Sequence, residues 1–336
     1  MTQSTIVRWS DPKVILVATN LVEDHPFMLH AIYQTALSRA KVLLVHVISP
    51  FYLSTEAVYG TPSVQSNLVV RNARAKLDEL AAEFRWEGIE CEPMILNGLP
   101  EEQIPLIVKS RIVDRIIVAS RAASGVERLI GGSVAEALIS GVEIPVCTIG
   151  RSMRPDLVCV TQPERILLAT SLQPESPMLV SFASRLAELH YSHLTLLHVV
   201  ESVGMTEQER DLARFKARQK LSGLIPKEAR YRYRPVLLVP EGDAKTVIPD
   251  VAGWSAQDLV ILGGSFPSLF SWILGTGVVH RVIVEAKCPV ITIKSPARSA
   301  TENSFLREAT DAGEAHAHSI GCTEETVSGR PSETRL

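Results

Sequence analysis

The chain says the same thing twice, and this limits what it can fold into more than any other feature. Val14-Ile15-Leu16-Val17-Ala18-Thr19 returns as Arg165-Ile166-Leu167-Leu168-Ala169-Thr170, 151 positions later, and Pro26 returns as Pro177 at the same offset. Val42–Val47 returns as Thr195–Val199 at an offset of 152. Gly98, Asp114 and Pro145 return as Gly242, Asp258 and Pro289 at 144, and Gly132-Ser133 returns as Gly275-Thr276 at 143. The longest loss of register, eight residues, falls between His46 and Gly98. Solenoid units run roughly 20 to 50 residues, so a period this long means two copies of a whole domain. A length of 336 residues agrees with two domains. Each residue can then be judged against its twin.

Each copy opens with an apolar run, Val14–Ala18 or Ile166–Ala169. Runs without alternation fit strands buried on both faces, as in a parallel sheet covered by helices. A helix follows in each, with Pro26 or Pro177 near its first position, where a missing N–H costs nothing. Second strands are expected at Val42–Ile48 and Leu194–Val200, and helices at Leu68–Phe84 and Glu207–Leu224. Third strands are expected at Glu92–Leu96 and Pro235–Val239, and fourth strands at Arg115–Val118 and Leu259–Leu262. Closing strands are expected at Pro145–Ile149 and Pro289–Ile293. Strand and helix alternate throughout, which predicts two tandem open α/β sheets, five-stranded and mostly parallel, with helices on both faces. Ligands of such sheets bind along the edge formed by the strand C-termini. The expected division is residues 11–150, a linker at 151–164, 165–295, and a disordered acidic tail at 296–336. That tail carries four Arg against seven Asp or Glu, a deficit equal to the net charge of −3.

The net charge and the lack of a long basic run argue against nucleic acid as a partner. Five cysteines form no CxxC pair and read as thiols of a reducing compartment. With no apolar h-region at the N-terminus, the expected location is the cytoplasm. Leu259–Val279 is uncharged and long enough to span a bilayer. Gly263-Gly264-Ser265-Phe266-Pro267 would break such a helix, so the expectation is a buried strand, a loop and a helix, with no transmembrane segment. The apolar loop Phe266–Ile273 would be a contact surface if exposed.

Several matched places carry a family resemblance: Val17-Ala18-Thr19-Asn20, Leu196-Leu197-His198-Val199, Asn97-Gly98-Leu99-Pro100-Glu101-Glu102, Ile130-Gly131-Gly132-Ser133-Val134 and Cys288-Pro289-Val290. In this order, twice, they resemble universal stress protein domains in tandem, over about residues 11 to 295. The resemblance implies a five-stranded α/β sandwich and, in some members, ATP held by a signature of Gly, two residues, Gly, nine residues and Gly-Ser or Gly-Thr. Glycines let backbone approach phosphates, and the final pair opens a helix whose N–H groups favour an anion. Copy one keeps the spacing as Ala119, Ala122 and Gly132-Ser133, followed by Val134, but two glycines are replaced. The resemblance implies an aspartate where copy one has Asn20 and copy two Ser171, and a nucleotide-lining valine at Val47 and Val199. Copy two begins with Gly263, places Phe266 at the second glycine and reaches Gly275-Thr276 one residue early.

ATP with Mg²⁺ is therefore the expected ligand of copy one and a poorer ligand of copy two, with Gly132-Ser133 equally readable as a packing glycine and an ordinary N-cap. The resemblance further implies that the two copies pair through their closing strands as an intramolecular pseudo-dimer, and that two chains associate as a homodimer. The expected role is a stress-response binding protein, at most a weak ATPase. Two other readings stay open: a nucleotide-free module docking a protein or membrane partner through Phe266–Ile273, and a nucleotidyl-type enzyme. No P-loop, GxGxxG or GxSxG motif is present. His190, His193 and His198 lack the further ligands zinc wants, and His190 reads as a cation at a helix C-terminus. His46 and His198 read as structural, Cys288 as buried and inert, and Asp114 and Asp258 as either loop residues or acids.

Overall fold

The computed structural model describes residues 2–21, 25–49, 62–120, 134–150, 152–157, 162–232, 234–254, 257–264 and 277–294. These fall in one unit of residues 1–295, and residues 296–336 lie outside the described residues.

Copy one runs α1 (Gln3–Ser10), β1 (Val14–Ala18), α2 (His25–Ser38), β2 (Lys41–Ile48), α3 (Pro62–Trp86) and β3 (Cys91–Asn97). It continues with α4 (Pro100–Ser110), β4 (Arg115–Ser120), α5 (Val134–Gly141) and β5 (Val146–Gly150). A 3₁₀ turn (Pro155–Leu157) leads to copy two: β6 (Arg165–Ala169), α6 (Ser176–His190), β7 (His193–Leu197), α7 (Glu207–Leu224) and α8 (Lys227–Arg232). Then come β8 (Val236–Leu238), α9 (Ala244–Trp254), β9 (Leu259–Gly264), α10 (Val278–Glu285) and β10 (Val290–Lys294).

The apolar runs become central strands because both of their faces are covered. Ile15, Leu16 and Val17 are fully buried, as are Ile166, Leu167 and Leu168. Alternate residues feed two cores: Ile15, Val17, Ile166 and Leu168 with α2 and α6, and Leu16 and Leu167 with α5 and α10. Pro26 and Pro177 are each the second helical residue, where no N–H is needed. A second proline pair is less expected. Pro105 and Pro249 sit inside α4 and α9, 144 residues apart, so both copies carry the same interruption of the helical ladder. Thr206 opens α7 with a reciprocal capping box to Glu209.

The ten strands of the described residues join in one sheet, ordered β3-β2-β1-β4-β5-β10-β9-β6-β7-β8. Neighbours within each copy are parallel; β5 and β10 pair antiparallel, with Ile291 opposite Cys147. The buried Thr148 hydroxyl donates to the Val290 carbonyl at 3.1 Å, and its twin Thr292 to the Val146 carbonyl at 3.2 Å. Each hydroxyl is thus satisfied across the seam, as burial requires. Helices also cross it: α10 packs on β5 and α5 on β10. Because the seam is antiparallel, the strand C-termini of the two halves point opposite ways.

Some boundaries differ from expectation. β7 ends at Leu197 rather than Val200, because β8 offers only three residues to pair with; beyond it a single bridge joins Val200 to Glu241. The segment after Arg151 is tied down. The Arg154 amide donates to the Lys287 carbonyl at 2.9 Å, and Leu157 is buried. Two helices, α1 and α8, were not foreseen. α1 packs on α6 of the other copy and buries Trp9 there.

Candidate functional site: the C-terminal edge of each half-sheet

At the end of β1 the chain makes a tight turn, Thr19-Asn20-Leu21, and at the end of β6 it makes the same one, Thr170-Ser171-Leu172. Leu21 and Leu172 take positive φ, 64° and 61°, which is rare and costly for a residue with a side chain. Two contacts hold each turn. The Thr19 hydroxyl accepts from the Leu21 amide at 3.0 Å, and Thr170 from Leu172 at 3.3 Å. His46 Nδ1 donates to the Thr19 carbonyl at 2.9 Å, and His198 Nδ1 to the Thr170 carbonyl at 2.9 Å. A carbonyl only accepts, so both rings carry their proton on Nδ1. The paired histidines are therefore structural in a specific sense: they fix the backbone on which Asn20 and Ser171 stand. Asn20 is half-buried and Ser171 exposed.

The register sets the neighbours. Ala18 lies beside Val118 and Val45, and Ala169 beside Leu262 and Leu197. One step further, Thr19 stands between Ala119 and His46, and Thr170 between Gly263 and His198. Val47 and Val134 are half-buried against one core in copy one, and Val199 and Val278 against the same core in copy two. Gly98 and Gly242 close this edge where strand three passes into a helix. Their φ values are +133° and +138°, and their amides donate to Ile48 and Val200 carbonyls at 3.1 Å each. Only glycine adopts that backbone freely.

Ala119 and Gly263 occupy equivalent places but face different neighbours. Ala119 is half-buried and carries its methyl against the core. A β-carbon at Gly263 would stand 2.3 Å from both methyls of the fully buried Leu179. The space a signature glycine would open is thus filled by α6. The remaining residues expected at the phosphate end, Ala122, Gly132 and Ser133 in copy one and Gly275 and Thr276 in copy two, lie outside the described residues, as does the loop Phe266–Ile273. Of the residues expected at this edge in copy one, half-buried Asn20 and the core-packed Val47, Ala119 and Val134 are described.

The other expected chemistry resolves as support. Asp114 sits at the opposite end of the sheet. Its Oδ2 accepts from the Lys13 and Val14 amides at 2.9 and 3.1 Å, and Arg8 pairs with its other oxygen. Asp258 repeats this with the Glu164 and Arg165 amides, both at 3.0 Å, and with Arg154 at 3.2 Å. Both acids are buried clamps at the end of the sheet opposite the Thr19 and Thr170 turns. His190 corrects the reading of a cation at a helix end. Burial, and then the buried Arg115 guanidinium, push it down from 6.5 to about 4, so it is neutral at pH 7. Arg115 itself donates to the Trp9 carbonyl at 2.7 Å. Cys91, Cys147 and Cys288 are buried, and burial raises their thiols to about 12, 11 and 12; thiols so raised are poor nucleophiles. Among the described residues no three metal-ligating side chains gather, and no helix is long and apolar enough to cross a membrane.

Comparison with known proteins agrees with this architecture. The chain is 25% identical over 154 residues to Universal stress protein MJ0577 of Methanocaldococcus jannaschii, which covers 41% of this chain and 95% of that protein. It is 28% identical over 123 residues to Universal stress protein MJ0531 of the same organism, covering 36% and 71%. A universal stress protein from Archaeoglobus fulgidus has the same fold, with a TM-score of 0.64 at 18% identity, over 85% of this chain and 97% of that one. The Usp model, described as the universal stress protein family, matches twice, at residues 12–149 and 163–294. The chain belongs to the universal stress protein family and carries two of its domains in tandem.

Proposed function

We propose that this tandem protein is a stress-response binding protein of the cytoplasm that takes an adenine nucleotide, ATP with Mg²⁺, at the strand edge of copy one (residues 11–150). Copy two (residues 165–295) serves as its structural partner, and chains associate further as a homodimer. The observation that carries this reading is the contrast between equivalent places. In copy one the His-pinned turn presents half-buried Asn20, whereas in copy two the matching His-pinned turn presents exposed Ser171. Asn20 would address the ribose, Val47 and Val134 would flank the base, and Ala119, Ala122, Gly132 and Ser133 would border the phosphates. In copy two the weaker equivalents are Ser171, Val199, Gly263, Gly275 and Thr276. The family's habit of binding rather than catalysis supports a sensor more than an enzyme, and the three buried thiols suit a reducing compartment. Titration calorimetry of the full chain with ATP and Mg²⁺ tests the proposal. Micromolar binding, lost in Gly132→Trp and kept in Gly275→Trp, is the expected result. No binding, with no nucleotide carried through purification, defeats it.

A further inference from the structure

The sheet ends on one side at β8, a strand of three residues. Its parallel pairing turns the Leu238 and Pro240 carbonyls inward to the His198 and Val200 amides, at 3.0 and 2.9 Å. Alternation then turns the peptide groups of Leu237 and Val239 outward. α7 flanks this edge on one face of the sheet and α9 on the other, and between them runs a groove of about 650 Å³. Its floor is Leu237, Val239, Pro240 and Val251, and its wall carries Phe215, which is 58% exposed. Val236, beside it, is 54% exposed.

Charge is concentrated here, in a basic stretch that the reading of the sequence passed over. From Arg210 to Arg234 nine Lys or Arg stand against two acids, Asp211 and Glu228, in a chain of net charge −3. The equivalent stretch of copy one, Arg71 to Glu92, has four Lys or Arg against six acids. Arg210, Arg214 and Arg218 recur every fourth residue along α7, one stripe on one face. Arg210 and Arg214 share Glu241 at 3.6 and 3.4 Å, while Arg218 reaches the outward Leu237 carbonyl at 3.5 Å. An open strand edge, an apolar floor and a guanidinium rail together fit one kind of occupant.

We propose that the β8 edge docks an extended, acidic segment of a partner protein as an eleventh strand. Its backbone pairs with Leu237 and Val239, its apolar side chains enter the groove, and its carboxylates replace the Leu237 carbonyl as the partner of Arg218. Exposed edges are templates for such pairing, and copy one's acidic counterpart would repel the same segment. The inference does not depend on nucleotide binding.

The test is fluorescence anisotropy of the full chain with a labelled synthetic peptide of alternating Glu and Val, at low salt. Binding is expected for this peptide and not for one alternating Lys and Val. Arg214→Glu/Arg218→Glu should weaken it at least tenfold and admit the Lys peptide instead. Val239→Pro removes an outward N–H while leaving the β7 ladder intact; it too should weaken binding at least tenfold, with an unchanged melting temperature showing that each variant folds. No binding of the Glu–Val peptide overturns the proposal. So does full binding by the well-folded Val239→Pro protein, which would make the attraction charge alone. Displacement of the peptide by poly-uridine at equal strength would reassign the surface to single-stranded nucleic acid.

Discussion

The two copies agree most closely at the end of the sheet that holds Asp114 and Asp258 and least at their outer flanks. Asp114 and Asp258 hold the same two backbone amides, yet the arginines that cover them come from unrelated places, α1 for one and the segment before copy two for the other. The carboxylate has to stay because strand amides need an acceptor there; the route by which a cation reaches it is free to change. At the flanks nothing in the backbone demands a particular charge, and the copies have diverged to opposite signs. At the ligand edge they agree in the pinned turn and differ at Ala119 and Gly263.

The sharpest way to break the comparison is to remove each clamp. Asp114→Ala and Asp258→Ala should each cost about 3 kcal/mol, since each strands two backbone amides at a buried site. Urea unfolding reads this, and costs differing by more than about 1 kcal/mol would mean the clamps are not equivalent. Next is a proton effect only copy two carries. His190 is held near 4 when folded, against 6.5 unfolded. As pH falls below 6.5 the unfolded chain takes up a proton that the folded chain refuses until about 4, so stability drops across that window and not above it. The loss should be about 2 kcal/mol between pH 7 and pH 5, and His190→Leu should remove it from the difference between the two proteins' urea midpoints.

A smaller effect separates the ligand edges. His46→Ala should weaken ATP binding about tenfold, or 1.4 kcal/mol, by releasing the Thr19 carbonyl and with it Asn20; His198→Ala should leave ATP binding unchanged. Calorimetry that finds the reverse would assign the nucleotide to copy two. Smallest is the exchange at strand four. Gly263→Ala should cost about 1 kcal/mol by crowding Leu179, and Ala119→Gly about as much by opening a void and loosening the strand, both read as shifts in melting temperature.

Most of the fold was legible because buried parallel strands leave an unmistakable apolar run, and because each run appeared twice. The β1 boundary at Val14–Ala18 and the α7 boundary at Glu207–Leu224 match the sequence-based expectation. What escaped had no periodic signal. α1 is eight residues long with a single large side chain, Trp9, buried on a surface supplied by the other copy. Hydrophobic spacing cannot report a partner that distant in sequence. β7 stopped early because its neighbour is short, again a property of another segment. At the candidate site, Asn20, Val47 and Val134 were proposed by resemblance and His46 was read as structural, while the part of Thr19 in holding the turn was not foreseen. Its signal was there in the twin Ala-Thr-X-Leu runs, but a hydrogen bond to a backbone carbonyl leaves no mark on which residue types are chosen beyond the donor itself.

The β5–β10 seam has one more consequence. Were its two sides made by separate identical subunits, every substitution would appear twice, once on each side of the two-fold axis. A buried Arg115 would then appear in both halves. Here its counterpart is Leu259, and a single α1 strap with Trp9 covers it from one side alone. Joining the halves in one polypeptide freed each from mirroring the other. It also keeps the pair together at any dilution, because the linker, not the protein concentration, sets how often the two edges meet.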